Sequence, residues 1–317
     1  MKTYLCVVVV ILSLVLSQGS VQAQSDYPNK SITMIMVQPA GGTGDLTARL
    51  IAKLAEKHLG QSVIVVNKVG GSGTVGTAAW ATAKPDGYTI GTMGQSPFIL
   101  TPHLIKLNYH PIKDVDPIIQ YGINNFAVSV RYDSPFMTFK DAIEYARKNP
   151  GVLTFGTSGV NSVVHITIEK IGRIEQVEMV HVPFKGGPEA VTAAMGGHVA
   201  MAAGDISTSL LKAKKLRLLA MFPDQRWDEF PEVPTIKDLG YNIPIPYFVG
   251  LGAPKGTPEP IMLKLEDAFT KAVKDPEFGP AMKNIGIPVL YRNRKDFTAY
   301  VAKGYEEMGK ALDELKK

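Results

Sequence analysis

Residues 63–81 read VIVVNKVGGSGTVGTAAWA. The short apolar, β-branched run VIVVN reads as a buried strand, the glycines behind it as a turn, and the alanine-rich stretch that follows as a helix start. Within it, GSGTVG at 71–76 fits the dinucleotide pattern G-x-G-x-x-G letter for letter. That reading requires an acidic residue at the end of the next strand, where it holds a ribose hydroxyl. The next strand, YTIGTM at 88–93, runs into Gly94-Gln95-Ser96, and the nearest acid, Asp86, precedes it. The stretch is therefore a strand–turn–helix unit without the chemistry of a nicotinamide or flavin site, and no cofactor is expected.

The same unit recurs along the chain. Apolar runs at 32–37, 63–67, 88–93, 126–130, 153–157, 177–182, 199–204 and 216–222 alternate with helical patterns. Such alternation predicts an α/β fold with mostly parallel sheets. Thr138 with Asp141 three residues later reads as a capping box, and Pro188-Glu189 as a first helical turn. A helix is expected from Pro258 to about Lys274. Another is expected from about Lys295 to Leu315, with Phe297, Tyr300, Val301, Tyr305, Met308 and Leu312 on its packing face. Two stretches, 116–135 and 240–258, read as extended crossings between lobes, the second being too rich in proline for a helix. They divide the chain into a discontinuous first lobe, 24–124 with 249–317, and a second lobe, 125–248. Two lobes joined by two crossover strands permit closure on a ligand in the cleft between them.

The chain begins MKTYLCVVVVILSLVLSQGSVQAQ. Its apolar run, Leu5 to Leu16, is too short to span a hydrocarbon core of ~30 Å and ends in the small-residue site Val21-Gln22-Ala23. This predicts a signal peptide, residues 1–23, cleaved near Ala23, and an exported protein. Cleavage leaves 294 of the 317 residues, removes the single cysteine, Cys6, and lowers the formal charge from +5 to +4. Without disulfides, stability must come from packed cores. The basic residues are scattered, which excludes a nucleic-acid stripe.

Three glycine-rich loops sit where a parallel sheet leaves ligand sites: 38–45 (QPAGGTGD), 69–76 (VGGSGTVG) and 156–165 (GTSGVNSVVH). Each places glycines and hydroxyls at a helix N-terminus, where free amides and the helix dipole hold anions. No Gly-Lys-Ser/Thr follows any of them, which excludes a P-loop. Neither Ser72 nor Ser158 completes G-x-S-x-G, the six histidines are isolated in sequence, and no H-E-x-x-H occurs. A catalytic or metal site is therefore not expected. Loops 38–45 and 156–165 contain no lysine or arginine, so a carboxylate there would be met by backbone amides and the hydroxyls of Thr43, Ser158 and Ser162.

The run from QPAGGTGD to KPDGYTI (38–90) resembles the solute-binding proteins of tripartite tricarboxylate transporters, the TctC or Bug family. So do MVHVPFKGGPEAVTAAMGGHV (179–199), AKKLRLLAMF (213–222), FPEVPTIKDLG (230–240) and GLGAPKGTP (250–258). The resemblance implies a two-lobed periplasmic-binding-protein fold of type II kind. It also implies a monomer that captures an organic acid, such as a di- or tricarboxylate or an aromatic acid, in the periplasm and delivers it to membrane transporter subunits. A sensor for a signalling system would use the same cleft, and a periplasmic hydrolase is the remaining alternative. Carried over by position, the family's ligand loops fall on Gln38, Ala40, Gly41, Gly42, Thr43 and Asp45 in the first lobe. In the second they fall on Thr157, Ser158, Val160, Asn161 and Ser162, with Asp205 matching the family's pocket aspartate. The chain departs from the pattern at Gln38, where an aromatic residue is usual, and at Val160 and Asn161, where a polar residue and a glycine are usual.

Overall fold

Two five-stranded sheets organise the chain. In the computed structural model, which describes residues 27–314 apart from Pro244, the first sheet comprises β1 (Ile32–Met36), β2 (Val63–Asn67), β3 (Thr89–Met93), β4 (Val115–Gly122) and β10 (Val249–Pro254). Its order is β2-β1-β3-β10-β4. The second comprises β5 (Phe126–Arg131), β6 (Thr154–Thr157), β7 (Val180–Pro183), β8 (Met201–Asp205) and β9 (Leu216–Met221), in the order β7-β6-β8-β5-β9. The signal-peptide reading falls on residues outside those described.

Each sheet has a parallel half, built by βαβ units. β1 pairs in parallel with β2 and β3, and β6 with β7 and β8. The other half is antiparallel, which corrects the expectation of mostly parallel pairing: β10 runs against β3 and β4, and β5 against β8 and β9. The cause is the crossing itself. The chain passes from β4 directly into β5 through Ile123, Asn124 and Asn125, and returns into β10 after Phe248. A strand that enters a sheet without a crossover helix arrives with the opposite sense.

The helices follow from their apolar spacing. α1 (Thr43–Leu59) buries Ala48, Ile51, Ala52, Leu54, Ala55 and Leu59 on one side, and Gly60 ends it in a left-handed turn at φ 71°. Fully burying a side chain such as Ile51 contributes about 1.5–3 kcal/mol. With α8 (Glu259–Val273) and α9 (Phe278–Ile285), α1 covers one face of the first sheet. On the opposite face lie α2 (Thr74–Ala81) and the long α10 (Arg294–Glu314), whose Phe297, Val301 and Met308 are buried. That core continues through Phe126, Tyr247 and Phe248 into Val128, Phe155 and Ile168 of the second sheet. There α4 (Phe139–Lys148) starts with the expected Thr138–Asp141 capping box, and α5 (Val163–Glu175) packs beside it. α6 (Gly187–Met195) covers the other face with α7 (Thr208–Lys212). The remaining short helix, α3 (Thr101–Leu104), follows a π-helical turn at Ser96–Leu100.

This topology brings the carboxyl ends of six parallel strands toward one cleft. The loops after β1, β2 and β3 face those after β6, β7 and β8. Such ends are where open α/β sheets hold ligands.

Candidate functional site

Between the two sheets lies a cavity of about 550 Å³. Lobe one lines it with Val37–Pro39, Gly42, the loop Val69–Gly73 and residues 94–97. Lobe two contributes Phe126, Ser158–Val160, Ser162–Val164, Pro183–Pro188 and Asp205. Its wall is largely apolar, from valines, prolines, Phe126 and Phe184, with a few polar groups set among them, the usual composition of a small-molecule site.

Four helix starts open onto this space. α1 begins after Gly42, α2 after Gly73, α5 after Ser162 and α6 after Gly186. The first-turn amides of a helix have no carbonyl of their own helix to bond, and they carry the positive end of its dipole. Not all are free. Val163 N–H donates to Ser96 Oγ at 3.1 Å, and His165 N–H to Ser162 Oγ at 3.3 Å. The α5 start is thus partly occupied by hydroxyls.

Four hydroxyls of the first lobe reach across the cleft. Thr43 Oγ1 donates to Asp205 Oδ1 at 2.7 Å, Ser72 Oγ to Val160 O at 2.8 Å and Thr101 Oγ1 to Asn161 O at 3.3 Å, while Ser96 Oγ accepts from Val163. The lobes are therefore closed on each other. At the cavity floor the Gln95 side-chain amide donates to Asn124 Oδ1 at 2.9 Å and Phe248 O at 3.2 Å, tying together the two chain crossings.

The residues singled out by sequence take different places. Gln38, Gly42, Ser158, Ser162 and Asp205 line the cavity, as does Val160, whereas Ala40, Gly41, Thr43, Asp45, Thr157 and Asn161 are not on its lining. Gln38 lies against the first turn of α1, where a Cβ on Gly44 would collide with its Oε1. Asp45 holds its own loop: it accepts from Gly41 N, Arg49 Nε and Asn67 Nδ2 at 2.8–3.0 Å. Burial pushes its carboxyl up, and the Arg49, Gly41 and Asn67 donors outweigh that and hold it below the usual carboxylate range. Thr157 Oγ1 bonds Gly159 and His181 instead of facing the ligand space.

Asp205 ends β8 and touches both lobes. Thr43 donates to one oxygen, and the other packs on Gly187, where any Cβ would collide with it. Burial pushes its carboxyl above the usual range, and the Thr43 hydrogen bond pulls it only part of the way back. Among the described residues no cation compensates it.

Sequence reasoning missed the loop 183–188. Its Gly186-Gly187-Pro188 lies in the run 179–199 that carries the family resemblance, yet only Pro188-Glu189 was read structurally, as a first helical turn, and this fourth glycine-rich helix start was not counted among the ligand loops. This loop brings Lys185 to the lining, a cation outside the two loops, 38–45 and 156–165, that were read as free of lysine and arginine. The fold also brings two of the histidines together. Isolated in sequence, His165 and His181 stack with ring centroids 3.8 Å apart and an interplanar angle of 27°.

The family model that matches is TctC, the tripartite tricarboxylate transporter family receptor, over residues 47–316. The chain belongs to the TctC family. Relatives of this TctC protein include the UPF0065 protein in the gbd 5′ region of Cupriavidus necator, 35% identical over 93% of this chain and 90% of that protein. The structure of a periplasmic transporter superposes with a TM-score of 0.85 at 33% identity, covering 91% of this chain and 98% of that one. MatC of Rhodopseudomonas palustris, solved with bound malate, superposes with a TM-score of 0.83 at 26% identity over 90% and 99% of the two chains. The TctC family comprises periplasmic solute-binding proteins and not enzymes. The two-lobed fold read from the sequence is the fold of these neighbours. No helix among the described residues of the TctC chain is long and apolar enough to cross a membrane, and no group of three or more His, Cys, Asp or Glu among them could hold a metal.

Proposed function

We propose that this TctC protein is exported, with residues 1–23 removed as a signal peptide, and that it captures a small organic carboxylate between its lobes for delivery to membrane transporter subunits. One observation carries the reading: a closed cleft of about 550 Å³ onto which four helix N-termini open, with one lysine, Lys185, at its wall. Such a site neutralises an anion with fixed dipoles instead of a bidentate arginine. The malate bound by MatC supports the same ligand class. The apolar wall favours an acid with a carbon body over a compact inorganic anion. The ligand-binding set is Gln38, Gly42, Ser158, Ser162, Lys185 and Asp205, with Thr43 acting through Asp205.

A thermal-shift screen against malate, adipate, citrate, benzoate and neutral analogues of each tests the proposal. Ligand at 100 times its dissociation constant stabilises by about 2.7 kcal/mol. Shifts are expected from acids alone; equal shifts from the neutral analogues, or none from any acid, would count against it.

A further inference from the structure

The stacked histidines lie directly behind the cavity loop of the second lobe. His165 belongs to the first turn of α5 and His181 to β7, and Phe155 of β6 packs against both rings at centroid distances of 6.4 and 5.1 Å. Each ring holds a different part of loop 157–162. His165 Nδ1 accepts the Asn161 N–H at 3.2 Å. His181 Nε2 bonds Thr157 Oγ1 at 2.7 Å, and that hydroxyl accepts the Gly159 N–H at 3.2 Å and donates to Gly159 O at 3.1 Å.

The loop held in this way makes two of the cross-cleft contacts, through Val160 O and Asn161 O, and Ser158 to Val160 line the cavity. Asn161 needs the restraint, because it sits at φ 59°, in the left-handed region. The Nδ1 contact has a definite polarity. Nδ1 accepts a proton-bearing amide only while its lone pair is free, so the neutral ring must carry its proton on Nε2. Protonating Nδ1 would set a donor against a donor.

We infer that His165 is an acid-sensitive positioning residue: its neutral ring holds Asn161 and the cavity loop in the closed geometry, and its protonation releases them and weakens ligand binding. This rests on the proposed carboxylate-binding reading. The surroundings set the sign. Burial, the larger influence, pushes His165 below the ordinary histidine value of 6.5, and Glu169, one turn along α5 with its Oε1 4.0 Å from Nε2, offsets part of that. Burial and then the neighbouring His165 bring His181 down to about 4. Phe155 and Thr157, facing the pair from β6, are not charged. Both rings are therefore neutral at pH 7. The restraint is present above pH 6.5 and is lost as pH falls through the lowered His165 value.

The test is a calorimetric titration with malate, in steps from about pH 7.5 to about pH 5, on the wild type, His165→Asn and His165→Leu. Asparagine keeps a non-titrating acceptor near the Nδ1 position, and leucine removes it. The malate carboxylates, and Asp205, whose carboxyl burial holds above its usual range, are common to all three proteins, so their contribution cancels in the comparison. Malate affinity of the wild type is expected to fall, relative to His165→Asn, by up to about tenfold per pH unit once His165 protonates. His165→Leu should be weaker than His165→Asn at every pH and lack that additional fall, so that the wild type approaches it at the acid end. Parallel profiles for wild type and His165→Asn would overturn the inference. An NMR titration of the ligand-free protein decides it even if malate does not bind, an outcome that would count against the carboxylate reading instead. The Asn161 amide should shift in step with His165; an amide that stays still while the ring titrates would refute the positioning role.

Discussion

Replacing Thr43 by valine removes one hydroxyl and nothing else of size, and that hydroxyl is the first lobe's hold on Asp205, at 2.7 Å. Hydrogen bonds to charged groups contribute about 1.5–3 kcal/mol and those between neutral groups about 0.5–1.5. If the contact exists only when the lobes are closed, its loss appears in affinity. The expected weakening is about 10- to 150-fold while Asp205 is ionised and about 2- to 12-fold while it is protonated. Because burial holds the Asp205 carboxyl above its usual range, the effect of Thr43→Val should grow as pH rises. Asp205→Asn keeps an acceptor for Thr43 and removes a negative charge from the cavity, so on the proposed function it should bind carboxylates at least as well as the wild type. Asp205→Ala should resemble Thr43→Val. Dissociation constants by calorimetry, with melting temperatures as the control for folding, complete a double-mutant cycle over this pair. Thr43→Val changing affinity by less than about threefold, under 1 kcal/mol, would refute the claim that this contact belongs to the bound state.

Ser162→Ala should lower stability by about 1 kcal/mol, since its Oγ caps α5 through His165 N–H. If the same oxygen also meets ligand, affinity falls by more than threefold; unchanged affinity with a lowered melting temperature leaves it as a cap alone. Gly187→Ala drives a methyl into the Asp205 carboxylate, and an overpacked site of this kind costs about 1–3 kcal/mol. If that cost falls on the bound state, carboxylate affinity should fall by about 5- to 150-fold, and wild-type affinity would show that Asp205 has room to move. Asp45 is held below the usual carboxylate range by its three donors, so it adds stability above pH 3.8 that is lost as pH falls through its lowered value. Asp45→Asn should therefore flatten the acid limb of the unfolding curve, and an unchanged limb would show that the loop does not depend on the charge.

The parallel strands were legible because short β-branched runs bounded by glycine have few other readings; β2 occupies the expected residues 63–67. β4 and β10 were read as bare crossings for a physical reason. β10 is VGLGAP, a sequence of low strand propensity. Its glycines are set by packing, since a Cβ on Gly250 would meet the Phe297 ring and one on Gly252 would meet Trp80 and Met93. Those rings come from distant parts of the chain, so nothing local signals the need. The site shows the same division. Loops 38–45 and 69–76 announce themselves through glycine, but Gln95 and Ser96 drew notice only as the missing acid of a dinucleotide site. The His165–His181 stack joins α5 to β7, and no periodicity within either element points to it.

The cross-cleft contacts also bear on what closes the lobes. All four are hydrogen bonds involving neutral hydroxyls of the first lobe: Thr43, Ser72, Ser96 and Thr101. Three join neutral groups at about 0.5–1.5 kcal/mol net apiece, and Thr43–Asp205 contributes about 1.5–3 while the carboxyl is ionised, so they sum to about 3–7.5 kcal/mol before the cost of ordering the loops that carry them. Moving a two-state equilibrium from 1:99 to 99:1 takes about 5.5 kcal/mol of differential binding. The hydroxyls alone therefore leave open and closed forms close in energy, and a ligand need supply only a few kcal/mol to decide between them. An anion reaching helix starts of both lobes supplies it, because α1 and α2 belong to one side of the cleft and α5 and α6 to the other. The dipoles of both sides converge on one charge only when the lobes meet. If the ligand is the carboxylate proposed above, its recognition and the closure of the cleft are, on this geometry, one free-energy change.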